Sequence, residues 1–319
     1  FPQEKELKGE VIELDTALFR YPFRIRIEGD KAIVLDLHGS DYYGHLFQYP
    51  SFRYLSSFGR RGDSPLEMLS MENFRLHNHT LWTLDANKSE LTRLDFSSSG
   101  DSLLREETVA LDEDILRPLD FAIYNDTTFV IPDYSGESRF LKVDCKGKLI
   151  EKIGTIPTTN KKALQEARPA LAQAWRSFLD YNSHNSVLAT VTQLGEVVEI
   201  YNLKDSTHVI RVGEYDEPEF KVSDGYGIPT GIMGFSDVQV TDDAIYAVFH
   251  GTSFKDIARQ SGRLSDGGKY IYVFSLKGEP LCKYVLDHYI YGIWVDEVTK
   301  TIMATDVNND QPILKFSFG

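Results

Sequence analysis

Degraded copies of one hairpin recur along this chain, and that recurrence limits the folds open to it more than any other feature. The clearest copy is 269–286, KYIYVFSLKGEPLCKYVL. Residues 270–274 are an unbroken aromatic and β-branched run, Lys277-Gly278 supplies a turn, and 281–286 alternates apolar with polar as a second strand. A second copy, 140–153, FLKVDCKGKLIEKI, sets Lys146-Gly147 where Lys277-Gly278 stand. Weaker copies occupy 46–58, 91–104, 198–212 and 313–318.

One equivalent strand position in each copy is Tyr49, Leu94, Val143, Tyr201, Phe274 and Phe316. Successive spacings are 45, 49, 58, 73 and 42 residues, and 52 from Phe316 through the chain ends back to Tyr49. Periods near 40–50 built from several short strands belong to propeller blades, which bury their faces only against neighbouring blades. Two further strands precede each hairpin: 23–27 and 32–37, 74–77 and 81–84, 121–124 and 128–131, 178–181 and 187–191, 238–240 and 245–249, 293–295 and 301–304. The sixth copy lacks an outermost strand, and 9–14, GEVIEL, is expected to take that place, because closing the ring removes two exposed sheet edges.

The expected fold is therefore all-β: a closed six-bladed β-propeller of four-stranded blades, with the N-terminal strand completing the last blade. Residues 1–8 read as a linker and 9–319 as one domain. One short helical insertion is expected between 153 and 178, where Thr159 or Asn160 caps a helix that Pro169 bends or ends. Two loop insertions, roughly 213–234 and 251–268, account for the longest spacing.

With 34 basic against 48 acidic residues, the formal net charge is −14. Such a surface repels phosphate backbones, and no Lys/Arg cluster overrides it, so no nucleic-acid partner is expected. No apolar run approaches the roughly 20 residues a membrane-spanning helix needs. Cys145 and Cys282 fall in different copies and are expected to be free, largely buried thiols. The chain opens Phe1-Pro2-Gln3 without methionine, which reads as a start from which a signal peptide has been removed.

Second strands end at or near an aspartate: Asp36, Asp85, Asp133 and Asp306, with Thr192 and His250 in the corresponding places of the fourth and fifth copies. Those side chains are expected to cap the following turns. Together with the hairpins and the link Phe58-Gly59-Arg60-Arg61-Gly62-Asp63-Ser64-Pro65-Leu66-Glu67, this pattern resembles the NHL and TolB-like six-bladed propellers, and more closely the TolB-like proteins of Bacteroidetes. Residues 236–238, 245–251 and 272–274 are similar to that family's fifth blade. The resemblance runs from about Glu10 to Phe318, and its motifs are structural; the family's Gly-Pro-Gly-Glu link is degraded here to 63–67. It implies a six-bladed propeller, periplasmic or anchored as an envelope lipoprotein, in a group whose members mostly lack an assigned activity.

The sequence contains no Gly-x-Ser-x-Gly elbow, no His-Glu-x-x-His and no Cys-x-x-Cys. The Arg61-Gly62-Asp63 tripeptide lies inside the inter-blade link, and 262–269 misses a phosphate-binding loop because Tyr270 and a strand follow it. His77 and His79 could share a strand face, and 306–310, DVNND, could ligate calcium or form an ordinary turn.

Propellers usually bind ligands at one mouth of the central channel. The channel candidates are Arg24, Asp120, Asp237 and Arg176. The loops of the fourth and fifth copies add Tyr226, His250, Lys255, Arg259 and Arg263, a cationic-aromatic set suited to an anionic or sugar ligand. The leading expectation is a non-catalytic binding module of the cell envelope, monomeric, with no metal or cofactor. Its partner would be an envelope protein, a carbohydrate or a small anionic ligand. The alternative is a metal-assisted hydrolase or lyase with Asp120 and Asp237 in the channel.

Overall fold

The strand-forming runs pair in register into six sheets arranged around a central channel. The structure, a computed structural model, describes residues 1–16 and 19–319. The blades span 22–60, 71–110, 122–153, 177–212, 235–290 and 293–317; the first five meander outward through four consecutive strands, and the sixth through three. The six innermost strands are Pro22–Glu28, Met71–His77, Ala122–Asn125, Ser177–Asn182, Phe235–Val240 and Ile293–Asp296, and each lies beside the next round to the first.

Second strands explain why the sequence reads as continuous apolar runs. Val187–Thr192 and Ala244–Phe249 are buried at every position, because a second strand is covered on both faces by the neighbouring blades. Outermost strands such as Thr207–Val212 are mostly exposed. Third-strand register matches the repeat in five blades: Leu94, Val143, Tyr201, Phe274 and Phe316 face Leu81, Phe129, Leu188, Ile245 and Ile302. In blade one the equivalent residue is Phe47, opposite Ala32; Tyr49 lies just past the strand Tyr42–Gln48.

The ring closes as expected. Glu10, Val11 and Ile12 pair antiparallel with Lys315, Leu314 and Ile313 of the sixth blade. Within the segment expected as a linker, Glu4–Leu7 forms a strand running parallel to Pro280–Ile290 as a fifth strand of blade five.

The helical content departs from expectation. Asn160 does cap α1 (Lys161–Glu166), accepting from the Ala163 N–H at 3.0 Å. Pro169, however, falls in the first turn of a second helix, α2 (Arg168–Ala174), where its missing N–H costs nothing, so it opens a helix instead of ending one. A third helix, α3 (Phe254–Arg259), is capped by Ser253 and lies in the second loop insertion. The first loop insertion carries a two-stranded hairpin, Phe220–Ser223 with Tyr226–Pro229. Both cysteines are free, but only Cys282 is buried; Cys145 sits in an exposed hairpin turn.

The recurring aspartates are turn staples. Asp36 accepts from the N–H groups of Arg20, Tyr21 and His38, and Asp85 from those of Leu69, Ser70, Asn87 and Lys88. Asp133 accepts from the N–H groups of Ser135 and Ser138 and from the Ser138 hydroxyl. In blades one and two the same carboxylate thus ties the following turn to the incoming link.

Candidate functional site

The channel is lined by the innermost strands, and its interior is taken up by ion pairs. Arg26 donates from Nη1 and Nη2 to the two carboxylate oxygens of Asp237, each at 3.0 Å, and Nη1 also reaches the Ile293 carbonyl. Asp237 accepts in addition from the Val238 and Ile293 N–H groups at 2.9 Å. On the other side of the ring, Arg75 donates to Asp120 and to the Phe121 and Leu179 carbonyls, while Asp120 accepts from Asn73 and from the Phe121 and Leu179 N–H groups. Each aspartate bonds its own blade and the next. Burial alone would push the Asp237 carboxyl up, but Arg24 and Arg26 outweigh it and hold it below the ordinary carboxylate range.

These contacts revise the metal-site alternative. Both carboxylates nominated for it already accept from arginine and from backbone N–H groups, so neither offers free oxygens to the channel axis. Among the described residues, no three His, Cys, Asp or Glu side chains converge as a metal site would require. The 306–310 loop closes on itself: Asp306 accepts from the Asn308 N–H and from both asparagine amides. His77 and His79 do not share a strand face, since His79 belongs to the turn with a φ of 60°.

At the mouth where the innermost strands begin, a pocket of about 190 Å³ opens. Phe23, Phe178 and Phe235 line it, with Tyr291, Tyr134, Glu72, Gln193 and Arg176 around them. Arg24 lies buried beside this floor, its guanidinium 4.2 Å and 4.4 Å from the Phe23 and Phe178 ring centres. Its Nη1 donates to the Ser236 carbonyl at 2.5 Å, and burial lowers its pKa to about 10.

A larger groove of about 500 Å³ adjoins the pocket and shares Leu119, Tyr134 and Arg176 with it. Its walls come from three insertions or links. Leu116 and Arg117 belong to the link between blades two and three, Pro169 and Gln173 to α2, and Tyr226 and Gly227 to the hairpin of the first loop insertion. The Gly227 N–H donates to the Gln173 side chain at 3.0 Å, which holds the hairpin against α2.

Of the nine candidate residues, the structure brings two together here: Arg176 and Tyr226 line one groove. Arg24 sits beneath the pocket, out of solvent. His250 is buried behind its wall, edge-on to Tyr291 at 5.3 Å, and does not project from a loop. Asp120 and Asp237 lie in the channel ion pairs. Lys255, Arg259 and Arg263 are exposed on and after α3, away from both cavities. Residues that sequence reading passed over are Tyr134, Gln193, Arg117 and Gln173. A signal existed for the first two: Leu37, Tyr134 and Gln193 each directly follow the residue at or just past the end of a second strand, Asp36, Asp133 and Thr192, and all three line the pocket.

The sequence matches the TolB-like 6-blade propeller-like family over residues 1–298. The chain belongs to that family. No curated protein matches its sequence. Among solved structures, an exported-protein candidate from Bacteroides fragilis is 13% identical, with a TM-score of 0.60 and 98% of each chain covered. A DUF4221 family member from Bacteroides vulgatus is 10% identical with a TM-score of 0.60, covering 99% of this chain and 98% of its own. An auxiliary nutrient binding protein from Bacteroides ovatus is 9% identical with a TM-score of 0.57, over 94% of this TolB-like chain and 70% of its own. At these identities the likeness is one of fold. Among the described residues, no helix of this TolB-like propeller is long and apolar enough to cross a membrane.

Proposed function

We propose that this TolB-like propeller is a non-catalytic binding module of the bacterial cell envelope that takes its ligand in the mouth pocket and the groove beside it. The observation that carries this reading is continuity: two cavities share Leu119, Tyr134 and Arg176, and the groove is walled by segments added to the basic blade pattern. Ligand sites favour such concave, loop-built places on a rigid scaffold. The opposite mouth offers less. Its pocket of about 180 Å³ is lined by Arg26 and Arg75, whose guanidiniums are committed to Asp237 and Asp120. The non-catalytic part rests on the engagement of the channel carboxylates. The envelope part rests on relatives of the same fold that are an exported-protein candidate and a nutrient-binding protein.

A ligand-observed NMR screen with a mixed library of neutral, cationic and anionic small molecules tests the site. Hits should bind wild-type protein and lose their signal with Ser135→Trp, which fills the groove from a half-buried lining position, while the protein still unfolds in a single cooperative transition. Hits indifferent to that substitution, or a screen without hits, would overturn the reading. Fractionation of the source cells tests the location: recovery in the cytosol would overturn it.

A further inference from the structure

The groove differs in charge from the chain that builds it. The protein carries 48 acidic residues and a net charge of −14, yet none of the groove's lining residues is an aspartate or glutamate. Two are arginines. Arg176, half-buried at the junction of pocket and groove, has no carboxylate within ion-pair distance among the described residues, and its buried Nε has no hydrogen-bond partner. Arg117, exposed at the groove's outer end, is likewise unpaired among the described residues. Elsewhere the buried guanidiniums of Arg26, Arg75 and Arg139 are each matched to a carboxylate. A guanidinium left partly out of water without a counter-ion is costly unless something else supplies one.

We infer that the groove takes a small carboxylate-bearing ligand, its carboxylate on the Arg176 guanidinium and its body lying between Tyr134, Tyr226 and Pro169. This rests on the binding-module reading and names the ligand class for that site. A planar guanidinium presents paired donors that match a carboxylate, which a lysine could not do as well. The remaining lining is of two kinds. Tyr134, Tyr226, Leu116, Leu119 and Pro169 suit the apolar face of a sugar ring or a short carbon chain, and Gln173 and Ser135 suit its hydroxyls. The one carboxylate that lines either cavity, Glu72, belongs to the inner pocket, where it accepts from the Ser70 hydroxyl at 2.8 Å, and it does not line the groove.

The test is a thermal-shift and calorimetric titration of the whole chain at constant ionic strength with four probes: galacturonate, succinate, sodium sulfate and neutral galactose. A ligand that binds only the folded state raises the melting temperature by mass action. Galacturonate or succinate should raise it above the sulfate and galactose curves. Arg176→Gln should weaken that binding roughly 10- to 100-fold, the worth of a charge-assisted hydrogen-bonded pair, with an unchanged melting temperature in the absence of probe. Arg263→Gln, outside the groove, should leave it unchanged. No carboxylate-dependent shift, an equal response to sulfate, or full retention in Arg176→Gln would overturn the inference. A response to galactose alone, lost in Tyr226→Ala, would overturn the ligand class while leaving the binding-module reading standing.

Discussion

The Arg26 guanidinium holds both carboxylate oxygens of Asp237 at 3.0 Å, reaching from blade one past blade six to blade five. The backbone of Ile293 completes the contact, its carbonyl accepting from Arg26 and its N–H donating to Asp237. Three blades are thereby joined by one pair of side chains that solvent barely reaches.

Removing one member of that pair leaves the other charged and buried. Asp237→Asn should cost about 3–5 kcal/mol, because Arg26 and the neighbouring Arg24 lose their counter-charge while staying desolvated. Urea unfolding followed by tryptophan fluorescence measures it. A loss below about 1 kcal/mol would show that the pair does not hold the blades together.

Two hairpin turns that look alike in sequence should respond differently to the same change. Gly147 and Gly278 both have a φ near 80°, at 81° and 82°, where a side chain is strained. At Gly278 an added Cβ would meet side-chain methyl groups of Ile200 and Val209 at 3.0 Å, whereas at Gly147 it would run into the Ala110 carbonyl of the adjacent blade. Gly278→Ala should cost about 1–2 kcal/mol from the backbone alone, and Gly147→Ala distinctly more. Equal losses in parallel thermal melts would refute the distinction.

Acidification should weaken the fold through two histidines. Burial holds His45 and His250 down to about 4, against an ordinary 6.5, with nearby Asp36 opposing the shift at His45. In each, the buried Nε2 has no partner to accept a proton. Above pH 6.5 both the folded and the unfolded chain keep these rings neutral. Below it the unfolded chain takes up protons that the folded one refuses, so stability falls until pH reaches about 4. The slope is roughly 1.4 kcal/mol per pH unit for each ring at most. The difference between wild type and the His45→Gln/His250→Gln double variant, measured by denaturant unfolding across pH 4–7, should carry that slope; parallel curves would contradict it.

Deleting residues 1–12 should open the ring. The deletion strips the pairing from Ile313–Ser317 and uncovers both that strand's edge and the edge of Pro280–Ile290. Unprotected edges recruit further strands, so light scattering should report concentration-dependent association together with a lowered melting temperature. A monodisperse truncated protein of wild-type stability would show that closure contributes nothing.

The blade pattern was open to reading because it is local: strand runs, turn residues and the aspartate that ends a second strand all lie within a few residues of one another. The N-terminal segment could be placed because a ring that lacks one strand has only one place for it. The helices were harder, since Pro169 terminates or initiates depending on where the preceding turn breaks, and that break at Ala167 leaves no clear mark in composition.

What the sequence by itself determined is the repeated unit and its count, through alternation and turn chemistry acting over short distances. What only the tertiary structure decided is which polar residues are available to a ligand. Arg24, Asp120 and Asp237 looked free at the starts of inner strands, yet all three are buried there, Asp237 paired with Arg24 and Arg26 and Asp120 with Arg75, and both carboxylates also accept from the next blade's backbone. Arg176 and Tyr226, fifty positions apart and in different insertions, meet only because α2 and the Phe220–Pro229 hairpin pack together over one mouth.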